Sequence, residues 1–163
     1  RSRRVALAWE PFHAAIDAIV EDRLAAGRET RIVSVHSFTP SMQGRPRPWH
    51  AGVLWDMDDR AVRPMIEMLA ADPKLTVGDN EPYDGALKGD TMYQHAIVHG
   101  FAHALIEIRQ DLIADARGAA EWAERLAPIV DAINARPDIH VAEHHGSRTG
   151  PVTGTVMPAK GFD

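Results

Sequence analysis

The chain has 163 residues, 45% of them hydrophobic and 25% charged, with a net charge of −5 and a pI near 6.0. These values suit one domain with a real core and argue against nucleic acid as the main partner, because phosphate binding needs a basic surface. No run of roughly 18 apolar residues predicts a membrane-spanning helix, and the lack of cysteine excludes disulfides and thiolate metal sites, as fits a reducing, cytoplasmic setting.

The N-terminal RSRR is basic, but the following VALAWEPFH is too short and too interrupted for a secretory signal. The chain starts without methionine and almost directly in a helix, and it reads as part of a longer protein. Pro11 opens a helical pattern to about Ala26, with Phe12, Ile16, Ile19, Val20 and Leu24 at helical spacing and Gly27 as its stop. Arg31–Val35 is a β-branched strand. Residues 41–49 (SMQGRPRPW) form a loop by composition, and Ala51–Trp55 a short strand. Asp58 or Asp59 caps a helix to about Ala71, with Val62, Met65, Ile66, Met68 and Leu69 on its apolar face. Leu75–Gly78 is another strand, and residues 79–89 (DNEPYDGALKG) are a loop.

A helix from Thr91 to about His99 stops at Gly100, and Phe101–Ile113 follows as a buried strand. Glu121–Ile133 is the last clear helix, which Pro128 should kink or split. The Pro-, Gly- and His-rich remainder reads as a weakly ordered tail. Alternating helices and strands indicate an α/β sandwich with a mostly parallel sheet. The organisation is one α/β domain over residues 1–135 and a tail over 136–163.

The strand FAHALIEIRQDLI carries the chemistry. Alternation puts Glu107, Arg109 and Asp111 on one face, about 7 Å apart at each step, opposite Ala102, Ala104, Ile106 and Ile108. A carboxylate in so apolar a strand is costly unless it is used. A structural ion pair and a catalytic group are equally compatible with this segment alone. His36, Ser37 and Thr39 end the strand RIVSV, and ligands in α/β sheets bind beyond the carboxyl ends of strands. An imidazole and a glutamate at such positions favour the catalytic reading.

The other histidines carry less. His95, His99 and His103 are four apart, but Gly100 interrupts the helix and the adjacent glutamate of a zinc-binding HExxH is missing. They read as structural. His13 is either a surface residue or support for a site. Arg45 and Arg47, held between prolines, could grip a carboxylate bidentately or simply form a solvated basic turn. Asn80, Glu81 and Tyr83 lie in a loop long enough to serve as a lid or substrate contact, or to be a polar turn.

Together the segments VHSFTP, RPWHAGVLWD, VGDNEPYDG, TMYQHAIVHG and EIRQDLI, followed by the helix with EWAERLA, resemble the N-formylglutamate amidohydrolase family. The similarity runs from about Trp9 to Ile133. It implies a zinc-peptidase-like α/β fold, a three-layer sandwich with a mostly parallel or mixed sheet, here without its N-terminal part. It implies hydrolysis of N-formyl-L-glutamate to formate and glutamate in histidine degradation, with a small molecule as the partner. On the resemblance, His36 is a zinc ligand and Glu107 the general base. Arg45, Arg47 and Arg109 are candidates for the two substrate carboxylates, Asn80 and Tyr83 for substrate gating, and Ser37 and Thr39 for substrate contact beside His36. The family's N-terminal His and acidic motifs do not occur here, so the other zinc ligands are expected from outside this sequence. A zinc hydrolase for another N-acyl amino acid or peptide terminus, and an inactive carboxylate-binding relic, are the rival expectations.

Overall fold

A computed structural model describes residues 2–153. The helical turn α1 (Ser2–Arg4) passes through a wider π-helical stretch (Val5–Trp9) into α2 (Glu10–Ala25). Then come β1 (Ile32–Phe38), the two-residue strands β2 (Ser41–Met42) and β3 (Arg45–Pro46), β4 (Ala51–Leu54), α3 (Val62–Ala70) and β5 (Val77–Asp79). The short helix α4 (Thr91–His95) continues as a 3₁₀ turn (Ile97–His99), and β6 (His103–Arg109), a 3₁₀ turn (Gln110–Ile113) and α5 (Ala116–Asn134) follow.

One mixed sheet has the strand order β1–β6–β4–β5. β1 runs parallel to β6, β4 antiparallel to β6, and β5 parallel to β4. The mostly parallel expectation thus becomes a mixed sheet, because β4 enters against β6. Period-two alternation sorts the strand residues. Ala102, Ala104, Ile106, Ile108, Ala51 and Val53 join Met65 and Leu69 of α3 and Trp122, Ile129 and Ile133 of α5 in the main core. Leu54 and Leu105 point the other way, against Met92 of α4, and Val20 of α2 packs on Ala96 and Phe101. Helices therefore cover both faces.

Several expectations shift. Asp111 does not share a strand face with Glu107, because β6 ends at Arg109 and Asp111 lies in the following turn. α5 starts five residues earlier than its apolar pattern indicates, because Asp115 caps it by accepting from the Gly118 amide at 2.8 Å. It also runs unbroken through Pro128. The α2 stripe is covered in part: Val20 is buried and Ile16 and Leu24 pack beside it, while Phe12 and Ile19 are exposed.

The weakly ordered tail is a further correction. A 3₁₀ turn (Pro137–His140) puts Ile139 into the main core. The Arg60 guanidinium holds the carbonyls of Asp138 and Val141 at 3.1 and 2.7 Å, and the Glu143 amide donates to the Gly100 carbonyl at 2.8 Å. The tail's residues 154–163 lie outside the described residues.

Candidate active site

The parallel register aligns His36 with Glu107, so both side chains leave the same face at the carboxyl ends of neighbouring strands. His36 Nδ1 lies 3.8 Å from Glu107 Oε1. The two differ in setting: the imidazole is 52% exposed and the carboxylate 7%. Glu107 is enclosed because the loop after β5 folds back over the sheet. Gly52 is its register partner on β4, and a Cβ on Gly52 would come within 1.7 Å of the Glu81 carbonyl oxygen. Only glycine permits that approach.

Among the described residues Glu107 Oε2 has no hydrogen-bond partner. Burial pushes the carboxyl above its ordinary pKa, while the charges of His36 and Arg47 pull the other way. Arg47 is 8% exposed, and its guanidinium lies 5.7 Å from the Phe38 ring and 5.0 Å from that of Tyr83. Its NH1 donates to the Tyr83 hydroxyl at 2.9 Å and reaches Thr39 Oγ1 at 3.4 Å. NH2 meets the Met42 sulfur at 2.6 Å, a weak acceptor. Among the described residues no carboxylate forms a salt bridge with Arg47. A buried guanidinium bonded only to neutral acceptors keeps its charge available to an anion.

His36, Glu107, Arg47, Tyr83 and Thr39 are thus gathered on one face. Other candidates are not. Ser37 aligns with Ile108, so the strand's alternation turns it to the opposite face. Arg45 is exposed on the β2–β3 hairpin. Arg109 grips both oxygens of Asp111 at 2.7 and 3.1 Å and donates to the carbonyls of Arg47 and Trp49 at 3.4 and 3.3 Å. It fixes the backbone that carries Arg47. Asn80, with φ of 53°, uses Oδ1 to accept from the Trp55 and Gly85 amides at 2.9 and 3.0 Å, which staples the loop to β4.

Three contributors escaped the sequence reading. Phe38 stacks under Arg47. Gly52 makes room for the loop, and a glycine inside AGVLW was the available signal for a close backbone approach. Asp90 caps α4 through the Tyr93 amide at 2.7 Å, and burial pushes its carboxyl above the ordinary pKa. The histidines read as structural have packing partners. His95 Nε2 lies 2.6 Å from His13 Nδ1, which buries His13 rather than leaving it at the surface. His103 Nδ1 is 2.8 Å from the Phe101 carbonyl. His99 stacks on Phe101.

A catalytic zinc takes three protein ligands and a water. Among the described residues no three His, Cys, Asp or Glu side chains converge to hold a metal. His36 and Glu107 supply two donors and do not make that site by themselves. The cavity of about 560 Å³ between α2 and β1 is lined by Phe12, Ile16, Ile32, Met92 and their neighbours, and it includes none of His36, Glu107 or Arg47. Arg23, Arg31, Ser34 and His95 also line it, so it is a mixed groove apart from the His36–Glu107 cluster.

No helix among the described residues is long and apolar enough to cross a membrane. No curated protein matches the chain. The crystal structure of a gene product of Agrobacterium tumefaciens aligns with a TM-score of 0.76 at 36% identity, covering 83% of this chain and 54% of that one. This chain therefore spans about half the length of that protein. The model of the family described as N-formylglutamate amidohydrolase matches residues 1–114, a stretch that carries β1, β4, β5, β6 and every gathered site residue. On that match, the chain belongs to the N-formylglutamate amidohydrolase family.

Proposed function

We propose that this chain provides the base and a carboxylate grip of an amidohydrolase that cleaves N-formyl-L-glutamate to formate and L-glutamate in histidine degradation. The observation that carries this reading is the buried Glu107 beside His36, with one oxygen unbonded and with Arg47 on the same face free of any carboxylate among the described residues. Glu107 takes a proton from water as the water oxygen attacks the formyl carbon. The C–N bond then breaks, and the same proton passes to the leaving nitrogen. Arg47, aimed by Tyr83 and Thr39, holds a substrate carboxylate and fixes the formyl group near Glu107.

Zinc belongs to this proposal through His36 as one ligand, with the remaining ligands from polypeptide outside the described residues. The zinc-peptidase-like sandwich is part of the same reading, supported by the mixed sheet with helices on both faces. The test is turnover of N-formyl-L-glutamate by zinc-loaded protein. Glu107→Gln is expected to lower kcat by about 10²–10⁴-fold, and near-normal turnover would remove Glu107 from the reaction. Comparing N-formyl, N-acetyl and N-succinyl amino acids identifies the acyl group, and preference for a larger acyl would reassign the substrate.

A further inference from the structure

The loop that carries Tyr83 is gripped from outside by the C-terminal segment. Asp56 follows β4, and its side chain is 1% exposed. It accepts from the Ser147 hydroxyl and, at 2.8 Å, from the Arg148 amide. Arg148 Nε lies 3.3 Å from the same carboxylate and donates to the Asp56 carbonyl at 3.2 Å. The guanidinium then extends to the Trp55 carbonyl at 2.8 Å and grips both oxygens of Asp84 at 2.6 and 2.9 Å. Asp84 is the neighbour of Tyr83. Beside it, a Cβ on Gly85 would stand 2.2 Å from the Trp55 amide nitrogen, so the loop lies directly against β4's exit at this point.

We propose that Arg148 is a positioning residue: seated on buried Asp56, it clamps Asp84 and so holds Tyr83 in the hydrogen bond that aims Arg47 at a substrate carboxylate. The role of Arg47 in this statement rests on the proposed function. The clamp itself does not.

The chain of reasons is short. A buried carboxylate stripped of its partners is strongly unfavourable, so residues 147 and 148 stay seated on Asp56. An exposed ion pair between two free side chains fixes little. Arg148 differs because its backbone amide and Nε already engage Asp56, which leaves its planar fork pointed at Asp84. Asn80 pins the same loop from its inner side through Gly85 and Trp55. Tyr83 sits between these two anchors, and its hydroxyl reaches Arg47. Arg148 does not contact Arg47 or Glu107, so its influence must pass through Tyr83.

The experiment uses the 163-residue chain with Arg148→Ala, Arg148→Lys and Asp84→Asn. Asp84→Asn keeps an oxygen for the Ala86 amide and leaves Asp56 paired, so it loosens the clamp without unseating the segment. Amide hydrogen exchange of residues 83–87 is expected to rise about three- to tenfold in Arg148→Ala and Asp84→Asn. Residues 104–108 of β6 should be unchanged, and Arg148→Lys should fall between. Titration with L-glutamate should show its affinity falling by a similar factor in both variants, with no further loss in the double variant. Exchange within twofold of the parent protein in Arg148→Ala and Asp84→Asn overturns the clamp. Faster exchange with unchanged L-glutamate affinity overturns the positioning role. A parent chain that does not bind L-glutamate counts against the proposed function, while the exchange measurement still decides the clamp.

Discussion

The two ends of β6 carry the same residue types and resolve them in opposite ways. At its start, His103 and Asp58 are buried, with the half-buried Arg60 against Asp58. Arg60 grips both oxygens of Asp58 at 2.9 and 2.7 Å and donates to the carbonyls of Gly100, Asp138 and Val141. At the far end stand His36, Glu107 and Arg47. There one glutamate oxygen has no partner, and the arginine forms no salt bridge with a carboxylate among the described residues. Residue type therefore does not separate these two clusters. The pairing of the carboxylate does, because a paired buried carboxylate gains little from a ligand and an unpaired one keeps a free energy that a ligand can recover.

The largest expected effect breaks the satisfied end. Arg60→Ala leaves Asp58 buried without its cation and frees three carbonyls, and it should cost about 3–5 kcal/mol in a urea titration. A loss under about 1 kcal/mol would put this cluster in the same class as surface pairs. At the other end Arg47→Ala breaks no carboxylate pair among the described residues, and it should cost less stability than Arg60→Ala, through lost packing on Phe38 and Tyr83 and the lost bond to Tyr83. It should weaken L-glutamate by about 2–3 kcal/mol in calorimetric titration. If binding is unchanged, Arg47 is not the carboxylate grip.

Glu107→Gln should stabilise the protein by about 1 kcal/mol at neutral pH. Burial raises the Glu107 pKa in the fold, so the deprotonated carboxylate opposes folding. That opposition is present above the raised folded value and disappears below the ordinary value of 4.5. The advantage of Gln should shrink over that fall in pH, and a Gln variant less stable at neutral pH would contradict it.

The smallest effect is the acid behaviour of Asp58. Burial pushes its pKa up, but the hydrogen bonds and charge of Arg60 outweigh burial and hold it below the ordinary 3.8. Its contribution is present above 3.8 and is lost as pH falls through the depressed folded value. Denaturation midpoints should fall more steeply below about pH 4 in the parent than in Arg60→Ala. Equal slopes would show that Asp58 has no part in acid unfolding.

Legibility followed the range of the interactions. β1, β4, β6 and α3 could be read because a repeating apolar pattern records which side is buried. His36 and Glu107 were legible by the same rule, as polar groups at the ends of apolar strands. Arg109 and Asn80 were legible as site neighbours, but not as scaffold, because their partners are backbone groups that leave no mark on composition. The segment after Arg136 was the largest miss. Its Gly and Pro content suggested disorder, yet Ile139 enters the core and Arg148 reaches residues 55, 56 and 84.

From the sequence alone came the α/β class, the strand ends that deliver an imidazole and a carboxylate, and the family resemblance. All three rest on local periodicity or on motifs read along one line. Tertiary structure decided that β4 runs against β6, that Gly52 lets the loop bury Glu107, and that Ser37 faces away. It also decided that, among the described residues, Arg47 has no carboxylate partner while Arg60 has one. These outcomes depend on which distant groups meet in a low-dielectric interior, and pairing across tens of residues is set by packing of the whole chain.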